Sequence, residues 1–368
     1  MGNKIKIGYL IGSSQIGGTE KMILTLSKKM NKDLFEIVFF CIKGEGKFTE
    51  ELKKENFKVY VLNLKKNPFD FIKLFIYLKK ERPDILQTFL YVSNIIGRIY
   101  GKILKINFVI CSQRSTDDWR KWYHWFIEKV TQNFVDLYIS NSYSGREVLI
   151  KKGKISRKKI KVISNGIEIP EKIENLKKDY LVIGSIGNLR KAKGYFNLIK
   201  AAKIVVKKNK NVKFYIIGEG ELKDEILKMI KDEGLDNFFI LTGYVENIYN
   251  YLKIFDIFVL PSLWEGCPVS LLESMGYGIA SIATNVGDTP YIIENGKDGF
   301  IVGKNDYKKI AEKIIYLIEN EDIREKIGNN AREKIKKSYS AEDMVKKYEN
   351  LYKQLKNEKS SLSCFRRD

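Results

Sequence analysis

The sequence predicts an α/β protein built from two doubly wound parallel-sheet domains. Three observations predict it. Thirteen short runs rich in Ile, Val, Phe and Tyr recur between stretches with helical spacing of apolar residues, an alternation that marks buried parallel strands in βαβ units. Seven runs precede residue 170 and six follow it, too many for one comfortable doubly wound sheet and natural for two. The 368 residues also exceed a single core, since a domain takes roughly 100 to 200.

In chain order the strand candidates are KIKIGYLI, FEIVFFCI, FKVYVLNL, PDILQTF, FVICSQ, LYISNS and IKVISNG, then YLVIGSIG, NVKFYIIG, FFILTG, IFVLPS, ASIAT and GFIV. The charged stretch EIPEKIENLKKD, Glu168 to Asp179, reads as the linker, which sets an N-terminal domain at 1–168 and a C-terminal one at 169–338. A final helix follows at about 339–357, with Met344, Tyr348, Leu351, Tyr352 and Leu355 on one stripe. Beyond it NEKSSLSCFRRD reads as a loose polar tail.

The formal charge of +21, from 66 Lys+Arg against 45 Asp+Glu, suits an acidic partner such as nucleic acid, anionic lipid or a phosphorylated substrate, or reflects a lysine-rich composition alone. Four cysteines with no CxxC pair, and one histidine, argue against a disulfide framework or a zinc site. Glycines break the apolar run of MGNKIKIGYLIGSSQIGG before signal-peptide length, and no later run approaches a spanning helix. The expectation is a cytoplasmic protein, with peripheral membrane contact open.

Chemistry concentrates in PSLWEGCPVSLLE, Pro261 to Glu273. Glu265 and Glu273 stand eight apart, around a Gly-Cys-Pro turn and a helix-forming run. If Glu265 closes a strand-to-loop turn and Glu273 lies two turns into the next helix, both face one cleft. Backbone N–H groups at that helix start would meet an anion. This suits a nucleotide-sugar diphosphate, with one carboxylate on ribose hydroxyls and the other on the sugar. Alone, the pair reads more readily as a capped helix start with a surface acid, and its spacing is also a faint glycosidase signal.

Other strand ends add to it. IGSSQIGGTEKMILTLSKKM is a strand, a glycine turn at Gly17 and Gly18, and a helix opened by Thr19, though its spacing is not a dinucleotide fingerprint. The block GSIGNLRKAKG sets Asn188, Arg190, Lys191 and Lys193 at the carboxyl end of a strand, where such folds bind ligands. Gly218 in IIGEG, and Gly243 to Val245 in LTGYVEN, end two further strands.

With these residues assembled, the chain resembles the retaining glycosyltransferases of family 4, from Lys4 to about Leu355. The segment WEGCPVSLLESMGYGIASIATNVGDTPYII looks like the family's E-x7-E region, and GGTE, VISNGIE, NLRKAKG and IIGEG occur in the family's order. The resemblance implies the GT-B architecture, with two Rossmann-like domains facing across a cleft. It further implies a metal-independent, retaining transfer of a hexose or similar sugar from an NDP-sugar to a glycan or lipid-linked acceptor, in polysaccharide, lipopolysaccharide or glycolipid biosynthesis. No cofactor beyond the donor is implied. Glu273 would bind the ribose and Glu265 the sugar, with N–H groups from Gly266, Cys267, Pro268 and Val269 on sugar and phosphate. Lys193, with Arg190 or Asn188, would hold the diphosphate, with Gly18, Gly218 and Val245 completing the donor site. The catalytic set is Glu265, Lys193 and Arg190.

Two departures follow. Asn188 stands where many relatives have Arg, and Gln87, Phe89 and Val92 stand where many carry histidines, so no histidine base is available from that segment. A front-face mechanism, in which the leaving diphosphate accepts the acceptor's proton, tolerates this. The first domain would supply the acceptor or membrane contacts, with Thr88, Phe89, Arg114, Trp119 and Trp122 as candidates. In WRKWYHWF, Trp119, Trp122 and Phe126 share a helical face beside Arg120 and Lys121, a composition suited to anionic lipid or to packing under the domain. Competing classes are a GT-B sugar-phosphate epimerase or sugar-phosphate glycosyltransferase, and a non-catalytic sugar- or nucleic-acid-binding module.

Overall fold

The structure, a computed structural model, describes residues 4–114, 119–173, 176 and 178–364. The chain divides into two compact units, one of Met1–Gly166 with Ala341–Asp368 and one of Ile167–Ser340.

In the first unit the order is β1 (Ile5–Ile11), α1 (Gly18–Lys29), β2 (Phe35–Cys41), α2 (Lys47–Lys54), β3 (Lys58–Val61), α3 (Phe69–Glu81), β4 (Ile85–Phe89), α4 (Tyr91–Ile103), β5 (Phe108–Gln113), α5 (Trp122–Thr131), β6 (Leu137–Ser140), α6 (Tyr143–Lys151) and β7 (Ile160–Val162). All strand pairs are parallel, in the order β3-β2-β1-β4-β5-β6-β7. Helices cover both faces, which is why the strands read as unbroken apolar runs. One core joins Tyr9, Phe39 and Phe89 to Ile23 and Leu26 of α1. A second joins Leu10, Phe40 and Leu86 to Leu74 and Leu78 of α3.

The second unit runs β8 (Leu181–Ile186), α7 (Tyr195–Lys208), β9 (Val212–Ile217), α8 (Lys223–Asp232), β10 (Phe239–Gly243), α9 (Tyr249–Leu252), β11 (Ile257–Leu260), α10 (Val269–Gly276), β12 (Ala280–Thr284), α11 (Thr289–Ile292), β13 (Phe300–Val302), α12 (Tyr307–Glu319) and α13 (Glu321–Ser338). Its sheet is parallel, in the order β10-β9-β8-β11-β12-β13. From β8 the chain first winds one way to β9 and β10, then returns to place β11 on the other side of β8. That reversal makes β8 and β11 the topological switch point.

The last helix, α14 (Ala341–Cys364), belongs to the first unit. Its apolar stripe, Met344, Tyr348, Leu351, Tyr352 and Leu355, is buried with β1 and α1. Tyr352 donates to Gln87 Oε1 and lies 3.0 Å from the Tyr9 hydroxyl. The helix continues through the stretch read as a loose tail, because NEKSSLSC holds no glycine or proline to end it.

The expected linker is likewise structured where described. Ile169 and Ile173 pack on the second unit's core, and the Arg332 guanidinium donates to the carbonyls of Pro170 (2.6 Å) and Glu171 (3.1 Å). Its isoleucines therefore anchor it to the second unit. Glu174, Asn175 and Lys177 of that stretch lie outside the described residues.

Candidate functional site

The loops after β8 and β11 meet at the switch point of the second unit. After β8 the chain passes through Gly187–Arg190 and a short turn, Lys191–Lys193, into α7. After β11 it passes through Pro261–Pro268 into α10. Leu263 N–H donates to the Ala192 carbonyl at 2.7 Å, tying the loops together. Gly194, at φ 64°, lies where a Cβ would come within 2.1 Å of the Pro261 carbonyl oxygen, so only glycine permits this approach. The result is an ion pair across the switch point. Lys193 Nζ stands 2.6 Å from Glu265 Oε1, their side chains 21% and 12% exposed, and Ser262 Oγ donates to the same oxygen at 2.7 Å.

The carboxylate is held from behind as well. Ser262 is fully buried, and its carbonyl accepts from Thr284 Oγ1 at 2.6 Å. Gly287, at φ 55° in the loop after β12, would place a Cβ 2.4 Å from the Glu265 carbonyl oxygen, and Asp288 N–H donates to the Gly266 carbonyl at 2.9 Å. Thus β8, β11 and β12 together fix Glu265. Sequence reasoning passed over Ser262, whose hydroxyl meets Glu265 within one loop, and Thr284 and Asp288, whose partners Ser262 and Gly266 lie in the loop after β11.

Glu273 is buried one turn into α10, not two, because the helix starts at Val269 rather than in the turn before it. Burial, and then the Glu273 carboxylate nearby, push the Tyr249 phenol upward. Of the donors expected between Gly266 and Val269, Pro268 has none, since proline carries no N–H. Its carbonyl accepts from Leu271 (3.1 Å) and Leu272 (3.3 Å), closing the first turn. Cys267 is half-buried beside it.

Asn188 and Arg190 are exposed on the loop after β8. Gly187, before them, is clamped through its carbonyl by the Tyr195 hydroxyl at 2.7 Å. The ends of β9 and β10 are joined by Gly218 N–H donating to the Gly243 carbonyl at 3.0 Å. Val245 is partly buried and packs on the core.

The first unit departs further from the expectations. Gly18, not Thr19, opens α1; Gly18 has open space where a Cβ would stand, and Glu20 Oε2 accepts from Gly17 N–H at 3.0 Å. Thr88 and Phe89 are wholly buried. Thr88 Oγ1 donates to Asn94 Oδ1 at 2.7 Å, and Phe89 stacks edge-on against Tyr9. They are core residues of a strand covered on both faces, so their side chains offer nothing to an acceptor. Arg114 bonds Asn165.

Trp119 precedes α5 rather than sharing its face. Lys121 caps the helix, its N–H donating to His124 Nδ1 at 3.0 Å, so the single histidine serves as a helix cap. Trp119 and Trp122 are nevertheless exposed, at 56% and 79%.

Comparisons with known proteins find relatives over both halves of the chain. The description "Glycosyl transferases group 1" matches residues 167–334, and "Glycosyltransferase Family 4" matches residues 16–170. The UDP-Gal:alpha-D-GlcNAc-diphosphoundecaprenol alpha-1,3-galactosyltransferase of Escherichia coli is 27% identical over 95% of this chain and 97% of its own. The capsular polysaccharide biosynthesis glycosyltransferase CapM of Staphylococcus aureus is 29% identical over 94% and 96%. Among solved structures, Anabaena HepE in complex with UDP aligns with a TM-score of 0.84 at 19% identity, over 95% of this chain and 100% of that one. The lipopolysaccharide outer core galactosyltransferase WaaB aligns with a TM-score of 0.76 at 20% identity, over 94% and 98%. At those identities the structural likeness shows the fold, that of the GT-B glycosyltransferases. With one family description matched on each half, and together spanning residues 16–334, the chain belongs to the family 4 glycosyltransferases.

Proposed function

We propose that this chain moves a sugar from a nucleoside diphosphate donor, bound at the carboxyl ends of β8 to β11, onto a lipid-linked or glycan acceptor. The transfer retains anomeric configuration and uses no metal or other cofactor. The observation that carries the reading is the Lys193–Glu265–Ser262 cluster at the switch point, where doubly wound sheets bind nucleotides. Supporting it, the Escherichia coli relative is named for a UDP-sugar donor and a diphosphoundecaprenol acceptor, and a Campylobacter jejuni relative, 27% identical over 90% of this chain, for a PP-undecaprenol acceptor.

In this account Lys193 leaves Glu265 for the donor diphosphate, with Arg190 and Asn188 beside it, and the freed Glu265 carboxylate accepts from the sugar's hydroxyls. Glu273 takes the ribose, and N–H groups of Gly266 and Val269 face the phosphate side. The bond from the anomeric carbon to the diphosphate oxygen breaks as the acceptor oxygen bonds that carbon from the same face. The acceptor's proton passes to the departing phosphate oxygen. Positioning and charge stabilisation of the leaving group then do the catalytic work.

Among the described residues no helix is long and apolar enough to cross a membrane. We place the protein at the inner face of the membrane as a peripheral component. The test is incubation with UDP-, GDP- and ADP-sugars and a polyprenyl-diphosphate-linked sugar, with and without EDTA. Nucleotide release with an α-linked product from an α-linked donor, unaffected by EDTA, is expected. Inverted product refutes retention, EDTA-sensitive turnover refutes metal independence, and no release with any donor refutes the transfer itself.

A further inference from the structure

Three neighbouring helices of the first unit turn apolar stripes to solvent. On α3, Phe69, Ile72 and Ile76 are 71%, 60% and 53% exposed, at positions that share one helical face. On α4 the exposed set is Val92, Ile99 and Ile103, and on α5 Trp122, Phe126 and Val130 are the most exposed, with Tyr123 and Ile127 beside them. The helices form one surface. The Tyr100 hydroxyl of α4 donates to the Phe71 carbonyl of α3 at 3.1 Å. Arg98 of α4, fully buried, pairs with Glu128 of α5, whose other carboxylate oxygen stands 3.3 Å from Arg120. That buried network fixes the roll of α5 and so keeps its aromatic stripe outward.

The charges on these helices are sorted by depth. Every acid, Asp70, Glu81 and Glu128, is buried. Every exposed charge is a lysine: Lys73, Lys79, Lys80, Lys102 and Lys129. Large apolar side chains exposed together on three neighbouring helices mark an interaction surface. With lysines as the only exposed charges among the described residues of these helices, it complements an anionic sheet rather than an acid-bearing protein groove, and large apolar side chains between lysines suit the headgroup boundary of a bilayer.

We propose that the α3–α4–α5 face seats on an anionic lipid leaflet, with Phe69, Ile72, Ile76, Trp122 and Phe126 entering the headgroup boundary. Phe69, Val92 and Trp122 lie at or near helix N-termini, which follow the carboxyl ends of β3, β4 and β5. A lipid-held acceptor therefore arrives along the leaflet at the sheet edge where such folds take ligands. This deepens the membrane contact proposed above. Vesicle binding is read without any sugar donor, so its failure and the failure of glycosyl transfer are separate results.

The test is flotation of the full chain with phosphatidylcholine vesicles, with and without phosphatidylglycerol. Binding is expected to the anionic vesicles and to weaken with salt. The triple variant Phe69→Ser, Ile72→Ser, Ile76→Ser is expected to bind roughly tenfold or more weakly with its thermal midpoint and nucleotide binding unchanged. The independent pair Trp122→Ala, Phe126→Ala on α5 reports the same loss should the first variant fold poorly. Lys80→Gln with Lys129→Gln weakens only the anionic, salt-sensitive component. Undiminished vesicle binding by both apolar variants overturns the proposal. So does a wild type that ignores vesicles but self-associates through the same residues, which makes the face an interface between copies.

Discussion

Replacing Lys193 by Met strips the cation from a pair in which Nζ stands 2.6 Å from Glu265 Oε1, the side chains 21% and 12% exposed. Deleting one partner of a fully buried pair costs roughly 3 to 5 kcal/mol, and an exposed pair contributes about 0 to 1 kcal/mol. This pair lies between those limits, and Ser262 Oγ still donates to Glu265 at 2.7 Å. The expected destabilisation is therefore about 2 kcal/mol, which in a unit spanning Ile167–Ser340 lowers Tm by about 4 to 8 °C. Glu265→Gln alone leaves the lysine facing a neutral amide. In the double variant no charge is stranded, so its loss falls short of the sum of the singles by about 1 to 2 kcal/mol. Urea unfolding of the four proteins, followed by circular dichroism, reads the coupling. Single losses that add to within about 0.5 kcal/mol refute the reasoning, for they mean that the lysine does not lean on the carboxylate in solution.

Four further outcomes are expected. Glu273→Ala weakens donor binding by about 1.5 to 3 kcal/mol, the scale of a charged hydrogen bond; titration calorimetry with an unchanged affinity removes Glu273 from the site. Gly287→Ala forces a side chain into φ 55°, against the Glu265 carbonyl, costing about 1 to 3 kcal/mol and loosening nucleotide binding; a wild-type melting point argues against that loop geometry. Tyr352→Phe strips Gln87 and Tyr9 of a buried partner, costing about 1 to 3 kcal/mol in the first unit's unfolding, and a neutral effect contradicts the network. Glu81 supplies the pH test. Burial pushes its carboxyl up, but Lys58, Tyr60 and Lys6 outweigh that and hold it at about 2, below the ordinary 4.5. The unfolded chain takes up that proton first, so the stabilisation is present above the ordinary value and is lost as pH falls from about 4.5 towards 2. With Lys58 half exposed, it amounts to roughly 1 to 3 kcal/mol. Glu81→Gln flattens that part of the acid limb, and an unchanged limb rules the pairing out.

The strands were legible because burial on both faces writes each one as a β-branched run. The reversal at β8 and β11 was not, since strand order depends on long-range packing. That reversal is what brings Lys193 to Glu265, where Ser262, three residues earlier in the same loop, donates to the same oxygen. Helix starts slipped at Thr19 and at Trp119 because the caps are made by Gly17 with Glu20 and by Lys121 with His124. Thr88 and Phe89 showed as strand-end residues, yet nothing in the sequence says how deep that end is buried. The stripes of α3 and α4 have the period of inward faces. Only the packed helices show which way they turn.

The central claim is that the loops after β8 to β11 hold a nucleoside diphosphate sugar. Its most direct test is the melting temperature of the purified protein against UDP, GDP, ADP and their sugars, with Glu273→Ala and Lys193→Met in parallel. A ligand at a hundred times its Kd stabilises by about 2.7 kcal/mol, several degrees for a domain of this size. The account predicts a shift with one nucleotide class that both variants lose. Melting curves indifferent to every nucleotide, or a shift that survives both substitutions, contradict it.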